Sequence, residues 1–299
     1  MATRPLRGYF PIMATAYCDD GGVDLASMRR LTAFLITHGA QGMSPNGGDS
    51  EARHLSSDER MRVLDVVLET NAGRTPVLVG ASAPTTEESA ALVRYAERAG
   101  ADGVFVMPPA NWTQTLLEPR VPDEEMLRHY AAICEGVDIP LMIHATAAMD
   151  VPFLQDLIDR IPNVRYIKEE TTYGPKLRRY VRELGDRVTV FGPGLHYPAE
   201  LEWGAMGVMP SCCAPASHAR VFDLWQRGEH DAARTTWNRM LPLVFWRWRT
   251  TPQEAGKLYL REMGVFETTL TRPEMGAPKL EDADRQELLR VMAAMGEPV

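Results

Sequence analysis

Few side chains in this sequence can form a covalent bond with a carbonyl compound, and one of them stands apart by position. The chain has 299 residues and only four lysines, Lys168, Lys176, Lys257 and Lys279, so arginine supplies the remaining basic charge. Lys168 closes the apolar run Val164-Arg165-Tyr166-Ile167-Lys168. Burial disfavours the charged form of an amine, and a neutral lysine amine can attack a carbonyl carbon to give a Schiff base. Arginine stays protonated and cannot do this. The competing reading is a lysine that leaves its strand and pairs with Glu169 or Glu170. Arg53 and His54 could meet an acidic group or simply be solvated. His196 and Tyr197 follow the turn Gly192-Pro193-Gly194, whose backbone N–H groups could bind an anion. Asp49, Glu51, His54, His144 and His196 could form a metal cluster, but no H-x-H or H-E-x-x-H spacing supports one, and no metal or other cofactor is expected.

The elements that must position these groups alternate. Short apolar runs suited to buried strands lie near Phe10–Thr15, Gln41–Ser44, Pro76–Gly80, Gly103–Met107, Pro140–His144, Arg165–Lys168, Val188–Gly192 and Gly207–Pro210. Helical patterns fill the gaps at Asp24–His38, Ser57–Thr70, Thr85–Ala99, Asp123–Glu135, Pro152–Ile161, Gly174–Leu184, Pro198–Trp203 and His218–Arg227. Several open with a capping residue and acids and stop at glycine. Strands joined by crossover helices imply a parallel sheet, and eight repeats favour an α/β fold of the (β/α)₈ TIM-barrel type. No G-x-G-x-x-G follows the first strand, and no Walker A loop occurs. The expected division is a catalytic barrel domain over 1–228 and a C-terminal helical domain over 229–299. Trp237, Trp246 and Trp248 lie in that second part, where packing against the barrel wall or another subunit is expected.

Composition narrows the function. The 32 Lys+Arg and 40 Asp+Glu leave a net charge of −8, which argues against a nucleic-acid or anionic-membrane surface. No apolar run approaches the roughly 18 residues of a membrane span. The first residues lack the apolar core of a signal peptide, and Cys18, Cys134, Cys212 and Cys213 form no C-x-x-C pair. A cytoplasmic protein with cysteines acting as small buried hydrophobes is expected.

Tyr166-Ile167-Lys168-Glu169 resembles the Schiff-base motif of the dihydrodipicolinate synthase/N-acetylneuraminate lyase family of class I aldolases. The resemblance runs through nearly the whole chain: Pro11–Tyr17 and the loop Asp19–Asp24, Gly47-Gly48-Asp49-Ser50-Glu51 with Leu55 and Ser56, Ala101–Val104 through Pro108-Pro109, Gly192-Pro193-Gly194, and Gly204–Val208. It implies a (β/α)₈ barrel with a helical extension and a homo-oligomer, dimer or tetramer. It also implies a lysine that condenses with the keto group of pyruvate or another 2-oxo acid, so Lys168 is expected as the nucleophile. On the same grounds Gly48, Asp49, Ser50 and Met209 are expected to bind substrate, with Asn111, Gly192 and His196 lining the pocket.

Three departures bear on the chemistry. Where the family has a tyrosine ending strand five, Leu141-Met142-Ile143-His144 places a histidine, whose ordinary pKa of about 6.5 lies nearer neutrality than the roughly 10 of tyrosine. His144 is therefore expected as general acid/base, against the alternative of a space-filling role. Gly48 and Asp49 occupy the positions of the family's two hydroxyl residues. A carboxylate about 4 Å from a substrate carboxylate would cost about 4 kcal/mol at an effective dielectric near 20. Either Asp49 points away while Ser50 and backbone amides grip the substrate, or the substrate lacks that carboxylate, or Asp49 accepts a bond from a substrate hydroxyl. Ala110-Asn111 replaces a tyrosine pair, with Trp112 beside it, which argues against dihydrodipicolinate synthase itself.

The sequence thus points to a cofactor-independent lyase, aldolase or hydro-lyase, acting on a small 2-oxo acid or related carbonyl compound. Two alternatives remain at this level: a non-catalytic binder of carbonyl metabolites, and a metal-dependent barrel hydrolase.

Overall fold

The computed structural model describes residues 6–108, 123–146, 149–171, 173–273 and 279–296. It has two compact units, one formed by the chain up to Gly8 with Pro76–Met209, the other by Tyr9–Thr75 with the chain from Pro210 onward.

The first unit is built on the sheet. Strands β1 (Gly8–Tyr9), β2 (Leu78–Gly80), β3 (Gly103–Val106), β4 (Leu141–Ala145), β5 (Val164–Glu169), β6 (Thr189–Gly192) and β7 (Gly207–Val208) take the order β1-β7-β6-β5-β4-β3-β2. Each successive pair from β2 to β7 is parallel. Parallel neighbours require crossovers, which are supplied by α3 (Thr86–Ala99), α4 (Asp123–Ile133), α5 (Val151–Arg160), α6 (Gly174–Leu184) and α7 (Tyr197–Glu202). Local chemistry sets their ends. The Thr85 side chain accepts from Glu88 N to start α3, and Gly100 ends it at φ 89°. Asp150 caps α5 through Phe153 N. The strands are mainly apolar and buried, as strands covered on both faces must be, with His144, Lys168 and Glu169 as buried polar exceptions.

One register detail decides the site. Leu141 pairs with Val164, but Met142 pairs with Tyr166, so Arg165 has no partner. Beyond this shift His144 lies opposite Lys168 and Ala145 opposite Glu169.

The second unit is mainly helical: α1 (Leu25–Thr37), α2 (Ser57–Asn71), α8 (Pro215–Gln226), α9 (His230–Arg249), α10 (Pro252–Glu262) and α11 (Asp282–Met295), with a short 3₁₀ turn at Ala52–His54. Asp24 caps α1, and Ser56 and Glu59 form a capping box on α2. The first two expected strands differ from expectation. The ladder runs only over Gly8–Tyr9, and beyond it Ile12 makes single parallel bridges to Ser44 and Ser211. Pro11, which has no N–H, interrupts the first run. Gly42 lies so close to Phe10 that a Cβ there would sit 2.1 Å from the ring. Cys212 and Cys213 are buried as expected, but Cys18 is exposed and Cys134 only half-buried; all four are free thiols. Trp237 and Trp246 are buried and Trp248 is exposed.

Candidate active site

Lys168 and His144 meet because their strands place them side by side. Partnered residues on adjacent parallel strands project from the same face. Both side chains are buried, Lys168 at 4% exposure and His144 at 6%. Glu170, the first residue past β5, reaches back to them. Its Oε2 lies 2.6 Å from Lys168 Nζ and 2.8 Å from His144 Nε2. The carboxylate itself is 41% exposed. Burial pushes the Glu170 carboxyl up, but the Lys168 charge and the hydrogen-bonding groups of His144 and Lys168 beside it more than compensate and hold it well below the usual carboxylate range. Burial, with Lys168 beside it, lowers the pKa of His144 against the opposing pull of Glu170, so the ring is neutral near pH 7. His144 Nδ1 is buried and has no hydrogen-bond partner among the described residues.

Of the two carboxylates offered by the sequence, only Glu170 contacts the lysine. Glu169 points to the other face and accepts from Thr171 N at 2.8 Å. The burial that the nucleophile reading requires and the acid contact of the competing reading therefore both occur. The result is a buried amine and imidazole bridged by a partly exposed carboxylate, a triad able to exchange protons at a nucleophilic nitrogen.

The glycine turn after β6 is already occupied. Glu200, buried in α7, accepts from Gly194 N and from His196 N, each at 2.8 Å. The turn's N–H groups that could hold an outside anion are thus taken by the chain's own carboxylate. Gly192 is required for this, since a Cβ there would lie 2.1 Å from Glu200 Oε2. Burial pushes the Glu200 carboxyl up to about 7 despite those two backbone bonds. His196 is exposed at the N-cap of α7, and Gly192 and Met209 are buried.

In the second unit, the loop from Asn46 to Glu51 begins and ends on left-handed residues, with φ of 62° and 56°. Non-glycine residues adopt this conformation at a cost, and their neighbours must hold them there. Ser50 is fixed inward: its hydroxyl donates to Met13 O and accepts from Gly47 N at 2.8 Å, while Thr15 Oγ1 donates to Ser50 O at 2.8 Å. Glu51 forms a fully buried ion pair with Lys257 of α10 and accepts from Arg272 N at 2.7 Å. Burial lowers the Lys257 pKa to about 8, against the pull of Glu51. Tyr17 lies under both cations, 4.2 Å from Lys257 and 4.6 Å from Arg272. Asp49 is not unpaired. Its Oδ2 accepts from Arg247 Nη2 of α9 at 2.6 Å, which neutralises the charge that made a nearby substrate carboxylate expensive. Gly48 is exposed, with open space where a Cβ would stand.

Arg53 is exposed and His54 half-buried, and Asn111 lies outside the described residues. Among the described residues no group of three or more His, Cys, Asp or Glu is placed to hold a metal ion, and no helix is long and apolar enough to cross a membrane. Sequence reasoning missed Glu170 as a bridge, Glu200 as the occupant of the glycine turn, and Arg247 as the partner of Asp49. Adjacency to Lys168 was the one available signal for Glu170. Nothing distinguishes Arg247 among the other arginines of α9, and it is found only through its contact.

Comparison with known proteins gives a consistent picture. The model of the dihydrodipicolinate synthetase family matches residues 5–295. The L-2-keto-3-deoxyarabonate dehydratase of Azospirillum brasilense is 32% identical over 295 residues, spanning 95% of this chain and 93% of that protein. The 4-hydroxy-tetrahydrodipicolinate synthase of Syntrophobacter fumaroxidans is 31% identical over 261 residues, spanning 84% and 87%. Among solved structures, YagE from E. coli K12, a prophage protein determined with pyruvate, superposes with a TM-score of 0.88 at 22% identity over 98% of this chain and 99% of that one, and so has the same fold.

Proposed function

Because the chain belongs to the dihydrodipicolinate synthetase family and is a lyase, we propose that it removes water from a hydroxylated 2-oxo acid through a Schiff base on Lys168. The observation that carries this is the buried Lys168 amine beside His144 at the C-terminal ends of β4 and β5. In α/β barrels that end of the strands carries the chemistry. The parallel sheet and its crossover helices support the reading of a (β/α)₈ barrel over 1–228, with a helical extension over 229–299.

Lys168 enters as the ammonium: one proton passes to the carbonyl oxygen as the freed Nζ lone pair adds to C2, and a second leaves with that oxygen as water, giving a cationic iminium. His144 takes a proton from C3, and the electron pair moves toward the iminium nitrogen to form an enamine. The C4 hydroxyl then leaves, taking the proton from His144 as it departs as water. Hydrolysis of the unsaturated iminium frees the product and restores the amine. One molecule of water is lost overall. General acid–base transfer of this kind contributes about 10²–10⁴-fold.

Gly48, Asp49 and Ser50 are the residues we assign to substrate binding. The exposed, unencumbered Gly48 supports a backbone grip on a carboxylate, and the Asp49–Arg247 pair supports recognition of a hydroxyl. Met209, Gly192 and His196 are assigned to the pocket on the family pattern. The L-2-keto-3-deoxyarabonate dehydratase relative supports a deoxy-sugar acid as the substrate class. A cytoplasmic homo-oligomer is proposed as well; the exposed Phe245 and Trp248, one turn apart on α9, support self-association.

Borohydride trapping with hydroxylated 2-oxo acids, followed by peptide mass mapping, tests the nucleophile. A reduced adduct on Lys168, and loss of turnover in Lys168→Ala, are expected. Labelling confined to another residue would overturn the assignment.

A further inference from the structure

The contacts of Glu170 go beyond that scheme. One carboxylate oxygen lies within 2.6 Å of the Lys168 nitrogen and 2.8 Å of the His144 Nε2. A bare ring nitrogen at 2.8 Å from a carboxylate would set two lone pairs against each other. Nε2 must therefore carry the hydrogen, and a neutral imidazole protonated there has its free lone pair on Nδ1. Both ring nitrogens are buried and neither makes any other hydrogen bond among the described residues, but only Nε2 has the Glu170 oxygen at 2.8 Å, which leaves Nδ1 with no polar neighbour. At the lysine, the carboxylate faces a nitrogen that is cationic both as ammonium and as iminium, so it can remain as counter-ion while the adduct forms and breaks.

We propose that Glu170 is a dual-purpose residue of the active site: counter-ion to the Lys168 nitrogen in its ammonium and iminium forms, and the group that holds His144 in the Nε2–H tautomer so that Nδ1 is the atom that removes the substrate proton. The inference rests on Lys168 being the Schiff-base nucleophile. The proton balance is simple. Nδ1 gains the C3 proton as the enamine forms and gives it up to the departing hydroxyl, while Nε2 keeps its hydrogen on Glu170 throughout. Glu170 neither gains nor loses a proton. It touches the reacting nitrogen directly but acts on the proton transfer through His144, so at that step it is a positioning residue.

The experiment uses pyruvate with the intact protein. Incubation in deuterium oxide, followed by NMR, reads loss of the methyl protons, which needs both the iminium and the base. Borohydride reduction of the same mixture, with mass mapping, reads the iminium alone. The wild type is expected to form the Lys168 adduct and to exchange. Glu170→Gln is expected to keep a trappable adduct yet lose exchange by at least ~tenfold, because its neutral amide no longer holds the imidazole by charge. Glu170→Asp should recover part of the exchange. His144→Asn should keep the adduct and abolish exchange. A Glu170→Gln variant that exchanges at the wild-type rate overturns the proposal. So does a folded Glu170→Gln variant that loses adduct and exchange in equal proportion, since the carboxylate would then serve the amine alone. Absence of any Lys168 adduct in the wild type is a separate outcome: it removes the nucleophile on which the proposal stands.

Discussion

Replacing Glu200 by glutamine should change how stability responds to pH. The Glu200 carboxyl is buried in α7, where loss of hydration raises its pKa; the N–H groups of His196 and Gly194 pull it back, Glu169 raises it and Lys168 lowers it, leaving it at about 7. The same group in an unfolded chain titrates at 4.5. Between those two values the native state holds a proton that the unfolded state has released. The stability contribution of this group is therefore full below about pH 4.5 and falls as pH rises through 7. A gap of roughly 2.5 units at 1.36 kcal/mol each makes the loss about 3 kcal/mol by pH 8. Glu200→Gln cannot titrate. It forfeits one acceptor of the two backbone bonds, worth about 1 kcal/mol, and escapes the ionisation cost. Urea unfolding of both proteins at pH 5, 6, 7 and 8, at one protein concentration, reads the difference directly. The variant should be about as stable as the wild type at pH 5 and the more stable at pH 8, with a relative change of about 2.5 kcal/mol across the series. Two stability curves that run parallel over this range would show that the carboxylate is ionised without penalty, and would refute the account of the glycine turn.

Two further outcomes are expected. Lys257→Met strands the Glu51 carboxylate in a fully buried position and should cost about 3–5 kcal/mol in urea unfolding, whereas Glu51→Gln with Lys257→Met should regain more than half of that; equal losses in the single and double variants would contradict the pairing. Exchange of pyruvate protons should rise with pH along a limb centred below 6.5, because the active base is neutral His144 and burial lowers its pKa; a limb centred above 7 would contradict the assignment of the imidazole as base.

Much of the scaffold was legible before any coordinates. Thr85 and Asp24 stand at the expected helix starts and cap them, whereas the cap expected at Ser57 is supplied by the preceding Ser56. The short apolar runs from Pro76 to Val208 become β2 to β7 because a buried parallel strand leaves little choice of residue. The runs at Phe10–Thr15 and Gln41–Ser44 looked equally good but form only isolated bridges, since apolar pattern does not report that Pro11 removes a ladder donor. Lys168 was identifiable from residue type, scarcity and place at a strand end, and His144 from the family resemblance, as the residue standing where a tyrosine is expected. The fate of Asp49 was not, because its partner Arg247 lies 198 positions away in a helix with several other arginines.

The sequence by itself determined that a lysine would end a buried strand and that a histidine would end the strand before it. Whether the two would share a face was decided only by tertiary structure. Strand pairing skips Arg165, and that one-residue shift puts Lys168, rather than Ile167, opposite His144. Side chains alternate between faces with a period of two, so without the skipped residue Ile167 would stand beside the imidazole and the amine would face the other side of the sheet. A register between strands is a property of two segments and the loops that deliver them, and neither segment read alone contains it.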